Sequence, residues 1–229
     1  MPTARLNVLY EDNHLLALNK PAGLPTMGVA ADRESLLARA KEYVKHKYQK
    51  PGNVYLGAMS RLDAPVSGVV LFARTSKAAA RLTEQFRTRA VEKIYWALVS
   101  GAVEPLSDRL IDFVRADERH RRMHRTREGQ PGAQEARLTY RRLADLAVGT
   151  LLEVQLETGR KHQIRLQLSA RGWPVLGDLK YGSSVSFPAG IALHSRCLTF
   201  THPTRDERIE LVAPLPQAWL KQGVRDQVP

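Results

Sequence analysis

"MSRLDAPVSGVVLFAR", Met59 to Arg74, sets one carboxylate, Asp63, at the mouth of an apolar run. Arg61 precedes it by two residues. Pro65, Ser67 and Gly68 write a turn, and Gly68–Arg74 reads as a strand whose residues suit a buried, pleated surface. Asp63 has two readings. It is a turn residue capping backbone N–H groups, or a reactive carboxylate displayed on a loop that a rigid scaffold holds. No second acid and no metal-ligand cluster stands beside it, so the rest of the chain has to decide.

Outward from this stretch the pattern alternates between strands and short helices. Leu6–Tyr10 and His14–Asn19 predict two strands around a Glu-Asp-Asn turn, followed by the Pro/Gly-rich loop "NKPAGLPT". From Asp32, the residues Leu36, Leu37, Ala40, Tyr43 and Val44 recur at helical spacing, predicting a helix that ends before Pro51–Gly52. Val54–Ala58 reads as a strand. Ser76 predicts an N-cap for a helix to about Arg89, with Ala79, Leu82 and Phe86 inward. Strands are predicted at Val91–Gly101, Glu135–Leu146 and Thr150–Leu156, then a helix opening at Thr158–Gly159 and stopping near Gly172. Ala192–His202 and Arg208–Val212 predict a hairpin, and Pro216–Gln222 a last helical turn. Strands dominate and neighbours are hairpin-linked, so the expected class is α+β: a mixed, mostly antiparallel β-sheet flanked by helices and loops. With no internal repeat and no long linker, residues 1–229 are expected to form a single domain with its core at about 6–213.

Composition narrows the function. The chain has 229 residues, 43% of them hydrophobic and 25% charged, an ordinary globular balance. No apolar run approaches the roughly 20 residues of a membrane span, and "MPTARLNVLYED" contains no signal-peptide apolar core. Cys197 is the one cysteine, which excludes an internal disulfide and a cysteine-rich zinc site. A reducing cytoplasm fits. Lys and Arg total 35 against 23 Asp and Glu, a formal charge of +12, and an excess of that size points to a polyanionic partner such as nucleic acid. Between Arg115 and Arg127 stand six arginines, with His120 and His124 among them. That segment does not read as a buried strand. It is a solvated loop or an arm that contacts phosphates.

Two further stretches carry candidate chemistry. "ETGRKHQIRLQL", Glu157–Leu168, places Arg160, Lys161 and His162 at a loop-to-helix junction, with Arg165 following. Basic residues in a first turn oppose the helix dipole, so a phosphate or a buried carboxylate is expected to compensate them. Arg160 and Arg165 are five apart and point in different directions, one outward and one toward the interior. In "EKIYWALV", Glu92–Val99, strand alternation puts Ile94 and Trp96 on one face and Lys93 and Tyr95 on the other. Tyr95 is then surface decoration or a platform for a base, worth roughly 1–3 kcal/mol per stacked base.

Taken together and in order, these segments resemble the RluA-type family of pseudouridine synthases. "RLDAPVSGVVLFAR" is similar to that family's H-R-L-D motif and the turn and strand after it. "NKPAGLPT" resembles its N-terminal motif, "EKIYWALVSG" its K-x-Y strand, "TGRKHQIR" its basic motif and "LHSRCLTFTHP" its closing strand. The resemblance runs from about Leu6 to Val212. It implies the pseudouridine synthase catalytic fold and an isomerase that converts uridine in ribosomal or transfer RNA to pseudouridine, with no cofactor and no metal. It implies that Asp63 is the catalytic residue, that Arg165 pairs with it, that Tyr95 stacks on the target uracil and that Arg61 helps hold the nucleotide out of its stack. Arg160 and His162 are assigned more loosely to RNA contact or to organising the Asp63 loop, which Lys20 also supports. Glycosidases pair two carboxylates because one protonates the leaving group and the other handles water. In a base that leaves and returns, one carboxylate is enough. The chain departs from the pattern at Ser60, where histidine is usual, and at Val66, where threonine is common. An extra N-terminal RNA-binding domain is not expected, and neither membrane nor small-molecule cofactor is an expected partner. A monomer in the cytoplasm is. Competing expectations are a non-catalytic RNA-binding or assembly factor retaining the fold, and a glycosidase-like or nuclease enzyme.

Overall fold

The computed structural model describes residues 6–28, 30 and 33–226. In chain order the elements are β1 (Val8–Glu11), β2 (Leu15–Lys20), α1 (Leu36–Lys47), β3 (Gly57–Ala58), β4 (Ser67–Ala73), α2 (Ser76–Arg87), β5 (Glu92–Val99), β6 (Ser107–Asp117), β7 (Arg122–Thr126), β8 (Gln134–Leu146), β9 (Gly149–Leu156), α3 (Gln163–Ser169), a 3-10 turn at Leu179–Tyr181, β10 (Leu193–Thr201), β11 (Arg208–Val212) and α4 (Gln217–Leu220). The class is the expected α+β, with mostly antiparallel pairing and few helices. The chain forms two compact units. The first comprises Met1–Val91 and Arg196–Pro214, the second Glu92–Ser195 and Leu215–Pro229.

In the first unit β4 lies between β2 and β10, with β3 also on β4 and β11 on β10. Every residue of β4 is buried, which is why its sequence shows no alternation: both faces are covered. Val69, Leu71 and Ala73 pack with Leu15 and Ala17 of β2, Ala78 and Leu82 of α2, and Leu198, Phe200, Ile209 and Leu211. Leu82 is inward as expected, Ala78 is buried with it, and Ala79 and Phe86 pack at the margin. The N-cap of α2 is Thr75 rather than Ser76. Thr75 is extended and its hydroxyl accepts from Ala78 N at 3.1 Å, so Ser76 becomes the first helical residue. Helix α1 is capped by Ser35, whose Oγ accepts from Ala38 N at 3.2 Å; the start expected at Asp32 lies outside the described residues. Only Gly57–Ala58 of the expected strand Val54–Ala58 pairs with β4.

In the second unit the strand order is β5-β9-β8-β6-β7. The β8–β9 hairpin closes at Gly149, whose φ of +146° and close packing leave no room for a side chain: a Cβ would lie 2.1 Å from Val99 O. The arginine-rich segment is neither a free loop nor a buried strand. It forms the end of β6, a turn, and β7, an edge strand in register from Phe113–Thr126 to Asp117–Arg122. Composition hides this strand because Met123 is its one buried apolar side chain. What allows it is Asp112 on β6, a buried carboxylate that receives Arg125 Nε at 2.7 Å and Arg171 Nη1 at 2.9 Å. A satellite core of Val114, Met123, Ala136, Leu166 and Tyr181 fills the space beside the hairpin.

Candidate active site

The turn that presents Asp63 is built by side chains gripping backbone. After Ala58, β3 leaves the ladder through a bulge. Met59 N donates to Leu71 O at 2.9 Å and Ser60 N reaches the same oxygen at 3.4 Å, so two residues oppose one and the strand bends away. Ser60 Oγ then accepts from Leu71 N at 3.0 Å, supplying by side chain the acceptor that the departing backbone no longer offers. Two residues on, Thr26 grips Leu62 from both sides: its Oγ1 accepts from Leu62 N at 3.1 Å and donates to Leu62 O at 2.9 Å. Val66 N closes the turn onto Asp63 O at 3.0 Å. Asp63 itself is half-buried and Arg61 is exposed.

Lys20 supports the same turn from beneath. Its side chain is wholly buried. The ammonium's three protons have three carbonyl acceptors, Leu24 O at 2.6 Å, Pro21 O at 3.0 Å and Ala64 O at 3.1 Å. Ala64 O also receives Gly23 N at 2.7 Å. The "NKPAGLPT" loop and the residue after Asp63 are thereby tied together. Burial pushes the Lys20 pKa from 10.5 down to about 8, while the negative charge of Asp63 acts in the opposite direction.

In the second unit the basic motif forms a different kind of anchor. Thr158 Oγ1 accepts from Arg137 N at 2.8 Å and lies 2.8 Å from Gln163 Oε1, and Gln163 Nε2 donates to Arg137 O at 2.9 Å. These bonds lock residues 158–163 onto β8, which is why α3 begins at Gln163 and not at Thr158–Gly159. His162, just before the helix, sits at φ +54°, a left-handed conformation that is uncommon for a residue with a side chain. Arg160 is half-buried, and its Nε donates to Glu135 O at 2.9 Å. Arg165 points inward and is 5% exposed. Its guanidinium makes a two-pronged bond to Asp178, Nε to Oδ2 at 2.6 Å and Nη2 to Oδ1 at 2.9 Å, and its carbon stands 5.0 Å from the Tyr181 ring centroid. Asp178 is thus a buried carboxylate that compensates Arg165, whereas the Arg160 side chain bonds to the backbone oxygen of Glu135. Gly177 before it has φ +82°, and a Cβ there would meet Gly190 O and the Phe187 Cβ at 2.8 Å.

Tyr95 lies on β5, opposite Val154 of β9, half-buried on the face away from the buried Trp96. On the hairpin, Arg115 Nε contacts His124 Nε2 at 3.3 Å, Arg125 is neutralised by Asp112, and Arg122 stands 3.8 Å from Asp117. Arg119, Arg121 and Arg127 are exposed and, among the described residues, have no acidic partner.

The structure therefore gathers Arg61 and Asp63 on one turn, with Lys20 and Thr26 beneath it, and gathers Arg160, His162 and Arg165 around the start of α3. Asp178, Tyr181 and Thr26 are functional supports that sequence reasoning did not name. The signal for the first two was present in "GDLKYG", Gly177–Gly182, where an acid and a tyrosine sit between two glycines. Among the described residues no group of three or more His, Cys, Asp or Glu is placed to hold a metal ion.

Comparison with known proteins gives one answer. Residues 14–170 match the family described as RNA pseudouridylate synthase. Ribosomal large subunit pseudouridine synthase D of Xylella fastidiosa is 35% identical over 227 residues, an alignment that takes in 93% of this chain and 66% of that protein. The tRNA pseudouridine synthase C of Vibrio cholerae serotype O1 is 30% identical, with 93% of each chain covered. The chain thus spans about two thirds of the length of the first relative and nearly all of the second. Among solved structures, Human RNA Pseudouridylate Synthase Domain Containing 4 matches with a TM-score of 0.78 at 27% identity, over 94% of this chain and 91% of that one. The chain belongs to the RNA pseudouridylate synthase family.

Proposed function

We propose that the protein isomerises uridine to pseudouridine in ribosomal or transfer RNA, with Asp63 as the catalytic carboxylate. The observation that carries this reading is the Asp63 turn itself, a single carboxylate on a loop fixed at Ser60, Leu62, Ala64 and Val66 within a chain of this family. Turn residues that merely cap a loop need no such support.

In the proposed reaction the N1–C1′ bond breaks, the uracil turns over, and C5 bonds to C1′. The proton on C5 leaves and N1 gains one, so no electrons enter or depart and no cofactor is needed. Asp63 acts by attack on the ribose or by removal of the C2′ proton. Tyr95 offers the half-buried aromatic face for the base, Arg61 the exposed cation that holds the nucleotide out, and Arg165, Arg160 and His162 the basic groups that engage the uridine and its RNA. Moving a base out of its stack costs a few kcal/mol, least in a loop, so a loop uridine is the expected target. The unneutralised Arg119, Arg121 and Arg127 are assigned to phosphates. The protein is expected to act as a monomer in the cytoplasm. No helix among the described residues is long and apolar enough to cross a membrane.

The test uses unmodified ribosomal and transfer RNA carrying tritium at uridine C5, which the reaction releases to water. Asp63→Asn is expected to lower the release rate by about 10²–10⁴-fold while RNA binding stays at the parental level. Parental turnover in Asp63→Asn would refute the assignment.

A further inference from the structure

The Tyr181 hydroxyl occupies a place that the reaction does not use. Tyr181 is 7% exposed and sits at the end of the 3-10 turn. Its Oη accepts from Met123 N at 2.9 Å, lies 3.4 Å from Met123 O, and lies 2.8 Å from His162 Nδ1. A phenol has one proton and two lone pairs. One arrangement satisfies all three contacts: Met123 N–H and His162 Nδ1–H fill the lone pairs, and the phenol proton goes to Met123 O. The hydroxyl thus acts as a short strand partner for β7, covering an outward N–H and C=O of an edge strand, and holds the His162 ring at the same time.

The rest of the residue faces Arg165. The guanidinium is held along its edge by Asp178 and over its face by the Tyr181 ring. Asp178 and Tyr181 belong to one turn, closed by Tyr181 N to Asp178 O at 3.0 Å. Ser169 Oγ donates to Tyr181 O at 2.6 Å, tying the far end of α3 to the same residue. The His162 ring stands edge-on to the Tyr181 ring, at 5.6 Å and 87°. One side chain therefore touches the arginine hairpin, the left-handed residue that starts α3, and the α3 arginine.

We infer that Tyr181 is a positioning residue that couples the β6–β7 hairpin to the start of α3, so that RNA held by Arg119 and Arg121 sets the orientation of Arg165. The coupling itself stands on the contacts around Tyr181; its effect on turnover rests on the function proposed above. Nothing in simple core packing requires the hydroxyl, because a phenylalanine ring fills the same space.

The experiment compares the full chain with Tyr181→Phe. Hydrogen exchange in the free protein is expected to quicken both in the segment 122–126 and in the segment 160–166. With C5-tritiated ribosomal and transfer RNA, affinity is expected to stay within about twofold while the single-turnover rate at saturating enzyme falls about tenfold. His162→Asn, which keeps a donor near the Nδ1 position, is expected to retain more of that rate than His162→Ala. This pair carries the decision where Tyr181→Phe does not fold. Faster exchange in only one segment, a parental rate in Tyr181→Phe, or equal proportional losses of rate and affinity would each overturn the inference. If the parent releases tritium from neither RNA, the proposed function fails, and the exchange result still decides the coupling.

Discussion

Replacing Lys20 by methionine keeps an unbranched side chain one atom shorter and removes its charge. A fall in pKa from 10.5 to about 8 means that burial disfavours the ammonium by about 3 kcal/mol relative to the unfolded chain. Against that stand three carbonyl acceptors, each contributing about 1 kcal/mol. The two effects are of the same size, so stability at pH 7 is expected to change by no more than about 2 kcal/mol. The pH dependence is what separates the variants. Below pH 8 the lysine is protonated in both states and the full desolvation penalty is present. Between pH 8 and 10.5 the folded protein releases the proton while the unfolded chain keeps it. The unfolded state then binds more protons, and stability rises with pH. Above 10.5 both forms are neutral and the contribution is flat. Urea unfolding at steps from pH 7 to 10.5 is expected to show, in the parent minus Lys20→Met difference, a rise of about 3 kcal/mol in the parent's favour across that window. Parallel curves for the two proteins would refute the buried ammonium. The same substitution withdraws one of the two donors on Ala64 O, so the Asp63 turn loosens and turnover is expected to fall even where stability is unchanged.

Two further expectations follow from charges in the second unit. Asp178→Asn takes the charge from the buried carboxylate that grips the Arg165 guanidinium at Nε and Nη2 and is expected to cost about 3–5 kcal/mol; a parental urea midpoint would show that this pair does not hold the fold together. Changing Arg119, Arg121 and Arg127 together to glutamine is expected to weaken RNA binding at every sequence and to flatten the log Kd against log salt plot by about 0.7 for each phosphate that is no longer neutralised. An unchanged slope in filter binding would remove the hairpin from the RNA interface.

Much of the fold was readable where period and local chemistry agreed. β11 falls at Arg208–Val212 as expected, and β4, β5, β8, β9 and β10 lie within about two residues of expectation at each end. The larger misses share a cause: in each, a long-range partner overrode the local pattern. β6 and β7 are hidden by arginines that make sense only once Asp112 is seen buried beneath Arg125 and Arg171. The start of α3 is delayed because Thr158 and Gln163 bond to Arg137, which is remote in sequence. The Asp63 motif was legible as a motif, but not its support. Lys20 was a candidate, whereas Thr26 lay in a loop where a threonine carries no signal of its own. Ser60 looked like a loss relative to the histidine usual in such proteins. In the structure it is a gain of a different kind, an acceptor for Leu71 N at the point where β3 ends.

Neither unit is continuous along the chain. The first needs residues 196–214 to supply Leu198, Phe200, Ile209 and Leu211 to its core, and the second needs Leu215–Pro229, where Trp219 is buried against Phe187 and His194. During synthesis from the N-terminus, the first 91 residues emerge with a core that stays open until the intervening segment has been made. Given this threading of the chain, the first unit is completed only once residues 196–214 have been made. The same threading limits protein engineering. A cut after Val91 leaves the first fragment without 196–214, a piece of its own interior, and leaves the second with its whole unit plus that displaced piece, whereas a permuted chain that joins 196–214 directly to 1–91 would assemble the first unit in one pass.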